Sequence, residues 1–355
     1  MKTLRLIVDP GQLKKPEAEE ALDRAAAILR AGGLVALPTE TVYGLGANAL
    51  DPAAVERIFA AKSRPAWDPV IVHIASEAML SGLVKDVPET ARRLTRAFWP
   101  GPLTLLLPRT AAVPDAVTAG RPLVGVRMPS HPVALELIRR AGVPVAAPSA
   151  NRFGHISPTT AAHVLDDLDG RIDAIVDSGP TQRGVESTVL DPARSPMLIY
   201  RPGAVTAEQI REFAGPVEIF EVANPPQETS PETSPGALPS PGVGLRHYAP
   251  RARLLLVKGS LDRISLRVAR MAETACGLQD EKLGIMLPDE IAEPARGAEI
   301  YQWGRWSDPD ELARRLYAGL RALDAAGCSV ILCPLPPADG IGAAIRNRLM
   351  KAVKS

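Results

Sequence analysis

Short apolar runs alternate with amphipathic stretches through the first 213 residues, and that alternation confines the chain to α/β architectures. Residues 4–8, 34–37, 70–74, 103–107, 123–128, 143–147, 172–176, 185–190 and 197–200 read as strands. Helical spacing over 17–30 puts Leu22, Ala25, Ala26, Ile28 and Leu29 on one side, and Gly32-Gly33 stops that helix. Asp51 followed by Pro52 opens a second helix that runs to Ala61. Residues 131–140 and 158–165 read as two more. Strands outnumber helices, which predicts a twisted mixed sheet with helices packed on it rather than a regular doubly wound one.

From 214 to 250 the texture changes to proline, glycine, serine, threonine and glutamate. Such a composition buries too little apolar surface to fold alone and favours an extended chain. For 224–239 we expect a tether. The following PGVGLRHYAP carries Arg246, His247 and Tyr248, which are large for a spacer, so it reads either as spacer or as a working segment. A β-α-β-α-β-α series then occupies 253–257, 261–276, 282–287, 308–326, 329–333 and 341–353. It predicts a small three-layer parallel domain. The expected organisation is 1–213, a linker over 214–250, and a second α/β domain over 251–355.

The 41 Lys and Arg against 40 Asp and Glu argue against a globally basic nucleic-acid coat. Three cysteines, Cys276, Cys328 and Cys333, show no C-x-x-C spacing, which disfavours a zinc ribbon or a disulfide framework. With no long apolar run and no signal-like apolar core in 1–10, the chain reads as soluble and cytoplasmic. No P-loop or H-E-x-x-H motif is present. Gly44, Gly46 and Ala49 match a dinucleotide fingerprint, with Asp68 downstream. The context fails, because the polar Thr39-Glu40-Thr41 intervenes and the next helix opens at Asp51-Pro52.

What remains is a set of polar loops beside buried strands, where α/β sheets gather ligand contacts. PTETVYGLG (38–46) offers hydroxyls, a carboxylate and glycines that admit close approach, or else a hydrogen-bonded turn. In KSRP (62–65), Pro65 biases Arg64 out of the helical region. An extended tetrapeptide would point Lys62 and Arg64 the same way and suit a triphosphate; a basic helix end is the alternative. His73 ends a strand and is either a satisfied core residue or a ligand contact. Arg127 closes an apolar run and needs a protein or substrate carboxylate to answer it. PSAN (148–151), GVEST (184–188) and YRPG (200–203) add Ser149, Asn151, Ser187 and Arg201.

In order, PTETVYGLG, KSRP with DPVIVHI, VGVRMPSHP, APSANRFGHISPT, GVESTVLD and YRPG resemble the YrdC/YwlC family of threonylcarbamoyl-AMP synthases over residues 18–213. RHYAP and a second domain closing on DGIGAAIRNRL resemble its longer two-domain form. The resemblance implies a YrdC-like mixed sheet followed by a Rossmann-like domain. It implies that L-threonine, bicarbonate and ATP give threonylcarbamoyl-AMP and pyrophosphate, which feeds modification of the tRNA adenosine beside the anticodon. It places ATP near Lys62, Arg64, Asp68, Thr118, Ser149, Asn151, Arg201 and Tyr248, with Lys62 and Arg64 catalytic. It places threonine near Thr41, His73, Arg127, Ala147 and Ser187. Mg²⁺ is expected to arrive with ATP, with no metal ligands from protein side chains. Implied partners are the small-molecule substrates, the downstream tRNA threonylcarbamoyltransferase complex and a weak contact with tRNA or other double-stranded RNA, and no membrane. By the resemblance, the family often has glycine or another residue where Ser63 stands here, and tolerates the change. The hydrogenase-maturation carbamoyltransferase is a rival, but it carries C-x-x-C pairs that this chain lacks. An RNA-binding module and a non-catalytic paralogue are two more. Near-neutral charge opposes the first, and KSRP together with PSAN opposes the second.

Overall fold

The computed structural model describes residues 2–220, 240, 248–275, 282–293 and 298–353. Contacts divide the chain into two units. One comprises Met1–Phe153, Pro158–Gln182 and Glu186–Gly244, the other Gly154–Ser157, Arg183–Val185 and Leu245–Ser355. Apart from Ser240, the expected tether over 224–239 and the stretch 241–247 lie outside the described residues.

The first unit begins with β1 (Leu4–Ile7), α1 (Pro16–Arg30), β2 (Val35–Leu37), β3 (Gly44–Asn48), α2 (Pro52–Lys62) and β4 (Ile71–His73). Next come α3 (Glu77–Leu83), α4 (Glu89–Phe98), β5 (Leu103–Pro108), α5 (Asp115–Thr118), β6 (Leu123–Arg127), α6 (Pro132–Ala141) and β7 (Val145–Ala146). Then follow α7 (Ala161–Leu168), β8 (Ala174–Asp177), β9 (Thr188–Asp191), β10 (Met197–Arg201), α8 (Ala207–Ala214) and β11 (Val217–Ile219). The strands form one mixed sheet in the order β1-β8-β2-β3-β7-β4-β6-β5-β9-β10-β11.

Local chemistry sets the helix ends. The Asp51 carboxylate accepts from the backbone N–H groups of Ala53 and Ala54, and Pro52 occupies the first turn of α2. Glu17 and Glu19 sit in the first turn of α1, where the helix dipole favours them. Leu22, Ala25, Ala26 and Leu29 of that helix pack with Val133, Leu137 and Ile138 of α6 on one face of the sheet. The other face carries the larger core, which includes Leu45, Val72, Leu105, Val126 and Leu190.

One strand was not expected. Gly44–Asn48 reads in sequence as a glycine loop but forms β3. A Cβ on Gly46 would lie 2.8 Å from Leu37 Cδ2 and 2.9 Å from Val145 Cγ1. The strand therefore fits between β2 and β7 only with that face bare, which erases the apolar alternation that marks a strand. Elements α3, α4, α5, α8 and β11 also went unread.

The second unit holds β12 (Arg253–Val257), α9 (Leu261–Ala275), β13 (Leu283–Pro288), β14 (Ala298–Gly304), α10 (Pro309–Ala325), β15 (Val330–Pro334) and α11 (Gly342–Val353). Its sheet is parallel, in the order β12-β15-β13-β14. Ile264 and Val268 of α9 pack on Leu283, Ile285 and Leu287. Gly319 of α10 meets Met286, which alternation puts on the opposite face, so the unit has three layers. Four strands replace the three expected. The fourth, β14, is an edge strand whose Glu299 and Gln302 interrupt the apolar run.

Candidate active site

Side chains two apart on a strand share a face, and this places His73 and Arg127 on one side of the first unit's sheet. Val72, Val126, Leu105 and Leu190 point into the main core. Their neighbours therefore point the other way: Ile71 and His73 on β4, Gly125 and Arg127 on β6, Thr104 and Leu106 on β5, Val189 on β9. A Cβ on Gly125 would lie 3.3 to 3.7 Å from Thr104, Leu106 and Ile71, so those side chains surround a glycine that leaves space between them. A small open cleft lies beside this glycine, lined in part by Pro69, Leu106, Thr118, Gly125 and Ser240.

Lys62 and Arg64 meet their partners by a route other than the one expected. The tetrapeptide is not extended: Lys62 is the last residue of α2, and Ser63 turns the chain at φ 53, ψ 41. A left-handed residue suits glycine best, and here a serine takes that conformation. The Lys62 ammonium is buried and donates to the backbone carbonyls of Ser149 and Asn151, at 2.5 Å each. KSRP and PSAN are thereby joined across 87 residues. Arg64 pairs with the fully buried Asp68 at 2.9 Å and donates to the Asp68 and Pro69 carbonyls at 3.1 and 2.8 Å. Its guanidinium carbon lies 5.9 Å from the centre of the Phe153 ring. Burial drives the Lys62 pKa well below its ordinary value, the Arg64 charge adds to the fall, and Asp167 and Asp68 oppose it.

Arg127 is answered by a protein carboxylate. It lies 2.6 Å from Glu40 Oε1, with both side chains 4% exposed. It also donates to Thr41 Oγ1 at 3.0 Å and to the Gly101 carbonyl at 3.2 Å. Thr39 spends its hydroxyl proton on the Val42 carbonyl, so Thr41 donates to Thr39 and leaves its oxygen free to accept from Arg127. His73 stands in register beside Arg127 on the neighbouring strand. Its burial, and then the Arg127 charge, lower its pKa to about 3.

That shift has a consequence for stability. As pH falls through the ordinary histidine value, the unfolded chain takes the proton first, so folding stability is full above about 6.5 and declines toward about 3. The expected loss at pH 5 is about 2 kcal/mol, and His131, also lowered by burial, acts in the same direction. Calorimetry at pH 7 and pH 5 should show a smaller drop in His73→Asn than in the parent. Equal drops would assign the acid sensitivity elsewhere.

On the next strands, Arg201 donates to the Ser187 carbonyl at 2.9 and 3.1 Å and to its hydroxyl at 3.1 Å. The Ser187 and Thr104 hydroxyls lie 2.8 Å apart. Gly203 holds this loop: a Cβ there would collide with the backbone of Thr188, Ser187 and Glu186. Backbone yields poorly, so Gly203→Ala should cost about 3 kcal/mol, read as a shifted urea midpoint. An unchanged midpoint would mean that the Glu186–Thr188 backbone moves freely.

Of the other candidates, Thr118 lines the cleft, and its buried hydroxyl has no hydrogen-bond partner among the described residues. Ala147 follows β7, and its N–H donates to Ile71. Tyr248 belongs to the second unit, where it stacks on Tyr317 at 5.8 Å with Arg348 over its ring. Sequence reading assigned no role to Glu40, Thr104 or His131, although Glu40 stood in a quoted motif. The clue was available: a buried arginine requires an acid nearby. Among the described residues no group of three or more His, Cys, Asp or Glu is placed to hold a metal ion.

Fold and site together define an α/β protein with buried cations and hydroxyls at and beside its mixed sheet. The sequence profile described as telomere recombination (Sua5_yciO_yrdC) matches residues 27–203, and that described as threonylcarbamoyl-AMP synthase, C-terminal domain, matches 205–353. The chain is 43% identical over 329 residues to the threonylcarbamoyl-AMP synthase of Pyrococcus abyssi, covering 92% of each. It is 43% identical over 354 residues to that of Bacillus subtilis, covering 99% of this chain and 98% of the relative. The crystal structure of P. abyssi Sua5 complexed with L-threonine superposes with a TM-score of 0.88 at 40% identity, over 99% of this chain and 98% of that one. The chain belongs to the threonylcarbamoyl-AMP synthase family, in its two-domain form.

Proposed function

We propose that the chain is an L-threonylcarbamoyladenylate synthase, which converts L-threonine, bicarbonate and ATP to threonylcarbamoyl-AMP and pyrophosphate. The observation that carries this reading is the meeting of Lys62 with the Ser149–Asn151 loop on a sheet that also holds Arg127 with Thr41. In this reading Lys62, Arg64, Asp68, Thr118, Ser149, Asn151, Arg201 and Tyr248 bind ATP. Thr41, His73, Arg127, Ala147 and Ser187 bind threonine. Mg²⁺ enters with the nucleotide as part of the substrate.

The chemistry suits what these residues offer. Threonine's amine and bicarbonate form a carbamate, whose anionic oxygen attacks the α-phosphorus while pyrophosphate leaves. That step asks for position and positive charge rather than a base. Lys62, Arg64 and Arg201 supply charge, and their burial keeps water from a labile carbamate. A bound triphosphate also raises the Lys62 pKa again, because an adjacent anion favours the ammonium.

The same reading assigns catalysis to 1–213, a covering linker to 214–250 and its support to 251–355. It hands the product to a tRNA threonylcarbamoyltransferase complex, with a weak tRNA contact by this chain. A cytoplasmic location belongs with it; no helix of the described residues is long and apolar enough to cross a membrane. Mass spectrometry of the products from ATP, bicarbonate and threonine tests the assignment. Threonylcarbamoyl-AMP with equimolar pyrophosphate is expected, and AMP formation without the threonylcarbamoyl adduct would overturn it.

A further inference from the structure

Glu40 is buried to 3% exposure, and neither carboxylate oxygen takes a hydrogen bond from any described residue. Among the described residues its ionic contact is with Arg127 at 2.6 Å. A buried carboxylate normally collects several donors, so this one retains acceptor capacity beside a guanidinium. The pair has the charges of an amino acid in reverse: a cation to meet an α-carboxylate and an anion to meet an α-ammonium, held next to each other. Glu40 is set in place by its own loop. Thr39 and Thr41 flank it and are tied to each other and to the Val42 carbonyl, and Arg127 braces the same loop through Thr41. His131, at the start of α6, also senses the Glu40 charge, and burial favours its neutral form.

The reaction has a need that fits. An α-ammonium is largely protonated near neutral pH and carries no lone pair, so it cannot bond to bicarbonate. We infer that Glu40 is the counter-ion of the substrate ammonium and takes its first proton. The inference rests on the reading above that an L-amino acid is a substrate. Arg127 turns to the substrate carboxylate as Glu40 turns to the ammonium, so each buried charge keeps an opposite partner. One proton moves from nitrogen to the Glu40 carboxylate. The freed lone pair then forms the N–C bond to bicarbonate; one C–O bond breaks, and that oxygen leaves as water with the amine's second proton. Glu40 gives its proton to solvent when the products depart. The later attack on phosphorus still needs no base, since the carbamate oxygen is already anionic.

The test compares L-threonine with 2,3-dihydroxybutanoate, in which a hydroxyl replaces the ammonium while the carboxylate stays. Calorimetric titration of the full chain should show threonine binding about 10- to 100-fold tighter. In Glu40→Gln that preference should vanish, with threonine weakened and the analogue unchanged, and the kcat of pyrophosphate release should fall at least 10-fold at saturating threonine. Glu40→Asp should recover part of both. If the parent binds the two ligands equally, the inference is overturned without any variant. It is also overturned if Glu40→Gln weakens both ligands alike, for then Glu40 only holds Arg127. A parent that makes no threonylcarbamoyl-AMP would sink the proposed function instead, an outcome read separately by mass spectrometry.

Discussion

Lys62→Ala is expected to lower pyrophosphate release by about 10- to 100-fold, the loss of charge-assisted contacts of about 1.5 to 3 kcal/mol at the nucleotide. The reason lies in the position of the ammonium. It ends α2, is 1% exposed and reaches the carbonyls of two residues in the PSAN loop. No solvated lysine would be held so far from water without a role for the charge. Truncation also leaves the Ser149 and Asn151 carbonyls short of a donor, so a stability loss of about 1 to 3 kcal/mol accompanies it. The two effects separate by assay: the rate is measured at saturating ATP well below the melting transition, where the stability loss does not appear. Turnover equal to the parent under those conditions would take Lys62 out of the site.

Arg127→Ala should be the most destabilising single change in the first unit, at about 3 to 5 kcal/mol. It strips the cation from Glu40 and leaves a carboxylate enclosed by protein. Thr41 and Gly101 lose their donor in the same stroke. Adding Glu40→Gln removes the stranded charge, so the double variant should be more stable than Arg127→Ala alone. A double-mutant cycle from urea midpoints reads that coupling directly. Simple additivity would mean that the two charges do not sense each other, against a separation of 2.6 Å.

How far the sequence carried differs from element to element. The helix capped by Asp51 and Pro52 was legible because its signal is local: one side chain, two N–H groups and a proline in the first turn. Strand β3 was illegible for the opposite reason. The bare face at Gly46 answers to Val145 as well as to nearby Leu37, and Val145 lies far outside any window around Gly46. KSRP shows a third case, in which the two cations were found but the backbone was misread. Proline at 65 pointed to extension, whereas the helix end and a left-handed Ser63 set the actual direction.

The site divides along the same line. Residue types and their order along the chain already named the cations, the hydroxyls and the family pattern, since motif chemistry is written in short contiguous stretches. Which of them touch was settled by folding: Lys62 against a loop 87 residues later, and Arg127 against a glutamate in a loop 87 residues earlier. Charge pairing depends on a few ångströms of distance and on exclusion of water, and both are properties of packed strands rather than of spacing along a chain.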